Sequence, residues 1–586
     1  MKTEAGLILT SLSNKRIFHK YTGHKIPTPE WRILPTVPSD FVTSTGFSNL
    51  QASLLFNRGL IDPYQIELFL NPDHRLSHDP FLLPDMDTAI SLIHKAISDN
   101  EKIAVFGDFD ADGLTGTAIM TLALRQLGLD VIPYIPDRVT EGHGLNSFAV
   151  GSIRGQGVST MITVDCGTSS PDEIELASGL GINTIITDHH QTSDTVPEAS
   201  AIINPYRSIS KYPHLGLTGA GLSYKFVEAL WESLNKNRPE DLLEIAALGT
   251  IADVGPLTDE NRYIVKSGLE GLSNTNHLGL KVLIRSLGLT DNKIDVEAVS
   301  FGIVPRINAS GRVGDVKTSL ELLLAESVEE AETLCQELEL NNTQRRKLSE
   351  LATKQAIEQI ENSDDESPIL FVEHTDWMPG IIGLVANRLS ETYHKPVVAM
   401  SIRDTVARAS VRSIPEFNVF EALEKVQSRL IHYGGHHAAG GFSVPITDLS
   451  ALKSEMIKNI LSTQSQDPKP PIITIDCEIS PSLFNSEDFD FIDSLKPFGK
   501  DNPEPIMLTR KMRVVDSRLV GRSKNHLKLK LSHENKIWDG IAFKQGNKQP
   551  NLNEHVDVVY NIGMNDWGGI KKPELKILDL RPTSIR

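Results

Sequence analysis

The sequence predicts an α/β protein in which two α/β domains are joined by a long helix and followed by a small β-barrel. Three observations carry that prediction. Short β-branched runs ending in aspartate alternate with a helical stretch between residues 103 and 188, a segment free of Pro and Gly runs from Ser319 to Ser363, and beyond residue 470 the chain breaks into short strands separated by turns.

A chain of 586 residues exceeds what one hydrophobic core supports, and 40% apolar with 23% charged residues is an ordinary globular composition. No apolar run approaches the ~18 residues a membrane helix needs. The opening "MKTEAGLILTSLSNKRIFHK" holds too short an apolar stretch for a secretory signal. Cys166, Cys335 and Cys477 lie far apart, which fits neither a disulfide framework nor a metal finger, so a reducing cytoplasm is expected. The net charge of −18 disfavours nucleic acid as a partner of the body of the chain. From Ile506 onward, however, Lys and Arg outnumber Asp and Glu, and this tail suits a polyanion.

Taken in order, residues 1–95 read as an N-terminal helical extension that includes "NLQASLLFNRGL" and the amphipathic "DMDTAISLIHKAISDN". Over residues 96–318, "KIAVFGD", "GLTGTAIMTLALRQLGL", "STMITVD" and "NTIITD" give strand, helix, strand, strand, hence a parallel sheet covered on both faces. Ligands of such sheets gather at the carboxyl ends of the strands, where each aspartate falls. Residues 319–363 form one long helix or two in tandem; at ~40 residues it would measure ~60 Å and join two domains. "ILFVEH", "GIIGLVANRLSETY" and "PVVAMSI" repeat the strand, helix, strand order in residues 364–465. The polar linker "STQSQDPKPP" opens residues 466–586, where "ITIDCEI", "KMRVVDSRLV", "HLKLKLS", "IWDGIAF" and "VDVVYNI" supply the barrel strands.

"VFGDFDADGLTG" places Asp108, Asp110 and Asp112 at alternate positions, where their charges repel unless a cation neutralises them. Later strand ends add Asp165, the run Asp188, His189 and His190, and Asp253 in "ADVGPL". A lone Asp after a strand is usually a cap or turn residue. Several acidic and imidazole groups at neighbouring strand ends instead form a mixed oxygen and nitrogen site that suits manganese, magnesium or zinc, with room for two ions.

"DFDADG", "DCG", "DHH" and "ADVGPL", in that order, resemble the four motifs of the DHH phosphoesterase superfamily. "PRINASGR", "GGHHAAGGF", "PFGKDNPEP" and "RLVGRSKNHLKLKL" are further similar to its RecJ family of single-strand-specific exonucleases. The resemblance runs from about residue 50 to the C-terminus. It implies a DHH domain, a long helix, a DHHA1 domain and an OB fold, in an enzyme that cuts single-stranded DNA from 5′ to 3′, releases 5′-mononucleotides and uses two Mn²⁺ or Mg²⁺ ions. The metal positions it implies are Asp108, Asp110, Asp112, Asp165, His189, His190 and Asp253, with Asp108 and Asp188 in supporting roles. His436, between glycines in "YGGHHAAGG", is implied to face the metals and the phosphoryl oxygens. Arg138, Arg306, Asn308, Arg312, Ser410 and Arg412 are implied to hold the 5′ phosphate. In the barrel, Lys524, Lys528, Lys530 and Trp538 are expected to contact the strand, since alternation puts His526, Lys528 and Lys530 on one face. The resemblance also implies work in DNA recombination and repair beside single-strand-binding protein and a RecQ-type helicase; a monomer away from membranes is expected.

Four positions depart from the family pattern: Met378 stands where histidine is common, Val411 where glycine is, His143 where tyrosine is, and Gly440 where alanine is. A β-branched Val411 conflicts with any backbone that only glycine adopts. Two other readings remain. A DHH–DHHA1 phosphodiesterase of short oligonucleotides shares the metal motifs but lacks the basic tail, and a non-cleaving single-strand-binding replication scaffold would have lost metal carboxylates that are retained here.

Overall fold

The computed structural model describes residues 28–583, apart from 139, 193–195, 290–293, 364–366, 464–469, 522–523 and 568–569. The N-terminal stretch weighed as a leader and most of the Pro-rich linker lie outside the described residues. Two compact units emerge, one spanning Leu76–Asp467 and one built from the segments Met1–Arg75 and Pro468–Arg586.

In the first unit a five-stranded parallel sheet runs in the order Val131–Tyr134, Ile103–Gly107, Thr160–Val164, Asn183–Thr187, Ala201–Ile203. The strands Ile103–Gly107 and Thr160–Val164 are buried along their whole length, which is why they read as continuous apolar runs rather than alternating ones. Register carries the functional consequence. Gly107 pairs with Val164 and Val164 with Thr187, so the next residues, Asp108, Asp165 and Asp188, stand side by side at the sheet's carboxyl edge. Their own amides continue the ladder: Asp108 N–H donates to Val164 O, and Asp165 N–H to Thr187 O. The helix Ala111–Gln126 is buried on nearly every face, between the sheet and the helices Gly219–Ser233 and Leu243–Ala252.

The Pro- and Gly-free segment forms two helices, Lys317–Leu324 and the 34-residue Val328–Glu361. Ser327 separates them by capping the second, its hydroxyl accepting from Glu330 N–H at 3.2 Å. The longer helix spans about 51 Å. Beyond it, Leu370–His374, the helix Pro379–Tyr393 and Val397–Arg403 follow the expected strand, helix, strand order, the two strands pairing in parallel. Three antiparallel strands not foreseen from the sequence, Val406–Arg412, Ala439–Pro445 and His432–Gly435, then extend the sheet. Short turns force the reversal from Val397–Arg403 to Val406–Arg412 and from His432–Gly435 to Ala439–Pro445, because a parallel return needs a crossover of a dozen or more residues.

Val411 lies within the regular strand Val406–Arg412, fully buried, so no special backbone is asked of it. Its cross-strand partner is Gly440. The two departures from the family pattern are thus opposite one another, a larger side chain facing an absent one.

In the second unit, Met507–Val520, His526–His533, Lys536–Ala542, Ile570–Pro582 and His555–Trp567 pair in that order, and the first and last pair again to close a five-stranded barrel. Ile570–Pro582 was not among the strands expected. Leu54, Leu55 and Phe69 share the barrel's core with Leu529 and Tyr560, and Glu30–Ile33 pairs in parallel with Ile472–Ile475. The helix Met86–Ser98 packs instead in the core of the parallel sheet. The expected extension over residues 1–95 therefore divides near residue 75 between two cores, because the helices Asn49–Asn57 and Pro63–Leu70 serve the barrel and Met86–Ser98 the parallel sheet.

A candidate metal and phosphate site

Asp110 caps the helix Ala111–Gln126: its Oδ1 accepts from Asp112 N–H at 2.9 Å and from Gly113 N–H at 3.2 Å. The capping reading of the aspartate cluster is thus correct for one oxygen, leaving the other for different work. Asn308 braces the same turn by accepting from Ala111 N–H at 3.0 Å. Asp112, in the first turn of that helix, points at the start of the helix Gly219–Ser233. Gly219 and Ala220 donate to its two oxygens at 2.6 and 2.9 Å, so the amides of a helix N-terminus hold this buried carboxylate. A Cβ at Gly219 would sit 2.6 Å from the Asp165 Cβ, which is why a glycine opens that helix. The segment "LTGAG" was not singled out from the sequence; a Thr cap followed by glycines at a helix start was its signal.

Asp165 adopts a left-handed backbone, φ 62°, that turns its carboxylate back over the strand ends. His189 Nε2 lies 2.9 Å from Asp165 Oδ1, 3.7 Å from Asp112 Oδ2 and 3.8 Å from Asp253 Oδ2. His190 Nδ1 lies 2.7 Å from Asp188 Oδ1, and Asp188 Oδ2 accepts from Thr168 N–H. Although burial opposes both shifts, that pairing holds the Asp188 carboxyl below its usual range and lifts His190 to about 9. Asp188 orients the ring in the manner of the carboxylates behind metal-ligating histidines. The His436 ring, from the loop between Gly435 and Ala439, stacks on His190 at 5.8 Å. Burial, then the His190 and His189 charges, pushes its pKa down.

The donor set fits divalent cations. Three groups have ligand atoms within 4.8 Å of one another: Asp165, His189 and His190; Asp112, His189 and Asp253; and Asp108, Asp110 and Asp165. Burial drives the Asp165 carboxyl well above its ordinary pKa, with the charges of Asp112 and Asp110 adding to the effect, and raises Asp108 and Asp253 to about 6. Among the described residues the buried Oδ1 atoms of Asp108 and Asp165 accept no hydrogen bond. The His189 ring nitrogen thus sits close to Asp165 without hydrogen-bond alignment, the relation of two ligands around one cation.

A second cluster is cationic. Arg138 lays its guanidinium over the Phe109 ring at 3.9 Å. Arg312 donates from Nη1 to Gly380 O at 3.0 Å, and Arg412 from Nη1 to Ser410 Oγ at 3.1 Å and Val411 O at 2.9 Å. Burial, and then the charges of Arg138, Arg345 and Arg412, pushes Arg312 down to about 9. Buried guanidinium groups that repel one another call for an anion. Arg306 is engaged elsewhere: its Nε donates to Glu339 Oε2 at 2.6 Å and its Nη1 to Gly302 O, tying it to the long helix. Of the two remaining departures, His143 stands beside a candidate ligand. His143 Nε2 stands 3.6 Å from Asp108 Oδ2, and Met378 occupies the position before the helix Pro379–Tyr393 without a side-chain cap.

The barrel residues belong to the other unit. Lys524 and Lys530 are exposed, and Lys528 is ion-paired with Glu574. Trp538 is buried in the barrel core, which corrects the expectation that it stacks on bases. Alternation along His526–His533 holds as read: Leu527, Leu529 and Leu531 face inward.

Comparisons with known proteins agree with this arrangement. Residues 102–250 match the N-terminal domain of the DHH family, residues 366–463 the DHHA1 domain, and residues 475–579 the RecJ OB domain. The single-stranded-DNA-specific exonuclease RecJ of Bacillus subtilis is 36% identical over 90% of this chain and 67% of its own length; that of Escherichia coli is 31% identical over 85% and 91%. Among solved structures, RecJ from Thermus thermophilus in complex with Mn²⁺ superposes with a TM-score of 0.82 at 29% identity, covering 95% of this chain and 80% of that one.

Proposed function

Since the chain belongs to the RecJ family of single-stranded-DNA-specific exonucleases, we propose that it hydrolyses single-stranded DNA from the 5′ end with two Mn²⁺ or Mg²⁺ ions, releasing 5′-mononucleotides. The observation that carries the reading is His189 Nε2 standing within 4 Å of three carboxylates from three separate elements. Asp110, Asp112, Asp165, His189, His190 and Asp253 are the ligands in this reading, with Asp108 completing the group around Asp110 and Asp165. Bound there, the ions supply charge neutralisation and Lewis acidity at the reacting phosphate.

The protein's own residues do the rest. Asp188 fixes the His190 ring, and the helix start at Gly219 fixes both oxygens of Asp112, so the donor atoms need little reorganisation. His436, kept neutral by its surroundings, donates an N–H to a phosphoryl oxygen across from those carboxylates. Arg138, Arg312 and Arg412, with Ser410, take the terminal phosphate and so set the step length at one nucleotide. Asn308 serves this scheme by bracing the Asp110 turn, and Arg306 by holding the long helix. In the barrel, Lys524 and Lys530 offer positive charge to a single strand, while Lys528 shares its charge with Glu574. The rival scaffold reading requires lost carboxylates, and none is lost.

Among the described residues no helix is long and apolar enough to cross a membrane. The wider reading is a cytoplasmic monomer in recombination and repair, acting on strands that a RecQ-type helicase opens and single-strand-binding protein coats. A pull-down on the C-terminal tail of single-strand-binding protein that recovers nothing removes the latter partner. The decisive experiment follows a single-stranded oligonucleotide labelled at its 3′ end, with Mn²⁺ or EDTA, beside an Asp110→Ala, Asp112→Ala double variant. Stepwise loss from the 5′ end that needs the metal and both aspartates supports the assignment. Tight binding without cleavage would replace it with the scaffold.

A further inference from the structure

The turn that carries Asp253 holds a residue in a conformation its side chain disfavours. The helix Leu243–Ala252 ends with Val254 N–H donating to Ile251 O at 3.2 Å and Gly255 N–H to Thr250 O at 2.9 Å. These two bonds are the closing pattern in which the residue at position 254 must be left-handed, a place usually taken by glycine or asparagine. Here it is valine, with φ 58°. For a β-branched residue that backbone is a true outlier. The turn cannot relax, because a Cβ at Gly255 would already lie 2.9 Å from the Thr218 methyl, and Thr218 begins the helix whose amides hold Asp112.

The valine is 61% exposed, so packing within the described residues rewards it little. A strained apolar side chain left mostly in water in the folded state gains its reward elsewhere, and strain of this kind clusters at functional sites. Its neighbour Asp253 is one of three residues grouped around a candidate cation, so whatever covers Val254 lies beside the reacting phosphate. The part of a DNA strand nearest its phosphate with apolar surface to offer is the nucleoside. We propose that Val254 is the nucleoside contact of the active site, its isopropyl group packing on the deoxyribose and base of the nucleotide being cleaved and so fixing the phosphate over the carboxylates. The inference rests on the exonuclease reading and adds a positioning residue to it.

The test uses the full chain with Val254→Gly and Val254→Asn, both of which suit a left-handed backbone. Relief of strain predicts that each variant melts higher than the parent in EDTA, by about 1 to 3 °C. Loss of the contact predicts a fall in kcat/KM on a 5′-phosphorylated oligonucleotide about tenfold larger than the fall on methyl p-nitrophenyl phosphate, a diester with no nucleoside. Equal losses on the two substrates, or a lower melting temperature with unchanged cleavage of DNA, would overturn the proposal. A parent enzyme that cuts no DNA would overturn the exonuclease reading instead, so the two failures are distinct.

Discussion

Replacing Val411 by glycine separates two roles that the family pattern alone confounds. Val411 is fully buried beneath its sheet, while Ser410 and Arg412 on either side of it face the opposite way, joined by the Arg412 Nη1 to Ser410 Oγ bond. Removing three buried carbons at about 0.8 kcal/mol each costs about 2.4 kcal/mol. Glycine's entropy in a strand brings the total to about 3 kcal/mol, before any cavity is counted. Adding a Cβ at Gly440 alone overpacks the same layer, since it would meet Val419 Cγ1 at 2.7 Å and Leu423 Cδ1 at 3.1 Å. That substitution costs about 1 to 3 kcal/mol. In the Val411→Gly background the vacated space lets those side chains give way, so the double variant is more stable than the sum of the singles by about 1 kcal/mol. Urea unfolding of the four proteins measures the cycle, and steady-state kinetics on 5′-phosphorylated ends should show KM rising in Val411→Gly as Arg412 loosens. A Val411→Gly cost under about 1 kcal/mol, or additivity within about 0.5 kcal/mol, would refute the compensating pair.

Other consequences can be measured directly. Mn²⁺ at 100 times its dissociation constant should stabilise the protein by about 2.7 kcal/mol, and Asp165→Asn should abolish that shift; a parent whose melting ignores Mn²⁺ would contradict the metal site. Arg412→Met should shrink the preference for 5′-phosphate over 5′-hydroxyl ends roughly tenfold, the worth of one charged hydrogen bond, and an unchanged ratio would place the terminal phosphate elsewhere. Lys225 is fully buried, its Nζ 2.9 Å from Glu260 Oε1 and also paired with Glu228, so Lys225→Met should cost about 3 to 5 kcal/mol by leaving the buried Glu260 without its cation, while Glu228 keeps Arg238 at 2.8 Å. An unchanged urea midpoint would deny that. The hydrogen bond from His78 Nε2 to Asp259 at 3.0 Å raises the His78 pKa. Its stabilisation is complete below the unfolded value of about 6.5 and fades as pH rises through the higher folded value. His78→Gln should therefore flatten the pH dependence of melting between the unfolded and folded values, and equal slopes there would show the bond carries no charge.

The candidate metal site was legible in part because Asp108, Asp165 and Asp188 follow strands, whereas Asp253, expected at a strand end, closes the helix Leu243–Ala252. Once "VFGD", "TVD" and "ITD" are strands of one parallel sheet, equal register brings their aspartates together with no further information. What holds Asp112 was not legible, because backbone amides of a helix more than a hundred residues away have no side-chain signature. Arg306 looked like a phosphate ligand from its motif, yet its partner Glu339 belongs to a helix whose rotation only packing decides. Trp538 misled for a related reason: composition shows an aromatic in a basic barrel, and only the closed strand order shows that it points inward. The strand Ile570–Pro582 escaped because its alternation is interrupted by charged residues suited to a solvent-facing side. The backbone concern at Val411 is answered by its place in a regular strand, and its volume by the absent side chain of Gly440 across the sheet, neither of which a single position reveals.

The pairing of Glu30–Ile33 with Ile472–Ile475 bears on how the chain is made. A ribosome completes the parallel sheet and its helices in one continuous pass, so that unit can fold while synthesis continues. The barrel's core waits: Leu54 and Phe69 emerge early, but Tyr560 and Leu529 leave the tunnel nearly five hundred residues later. Through that interval the early helices hold their apolar faces in solution, exposed to chaperones and proteases. A transcript truncated after the DHHA1 region would thus yield a folded catalytic unit with an orphaned leading segment, and that segment would be the first part of it to be degraded.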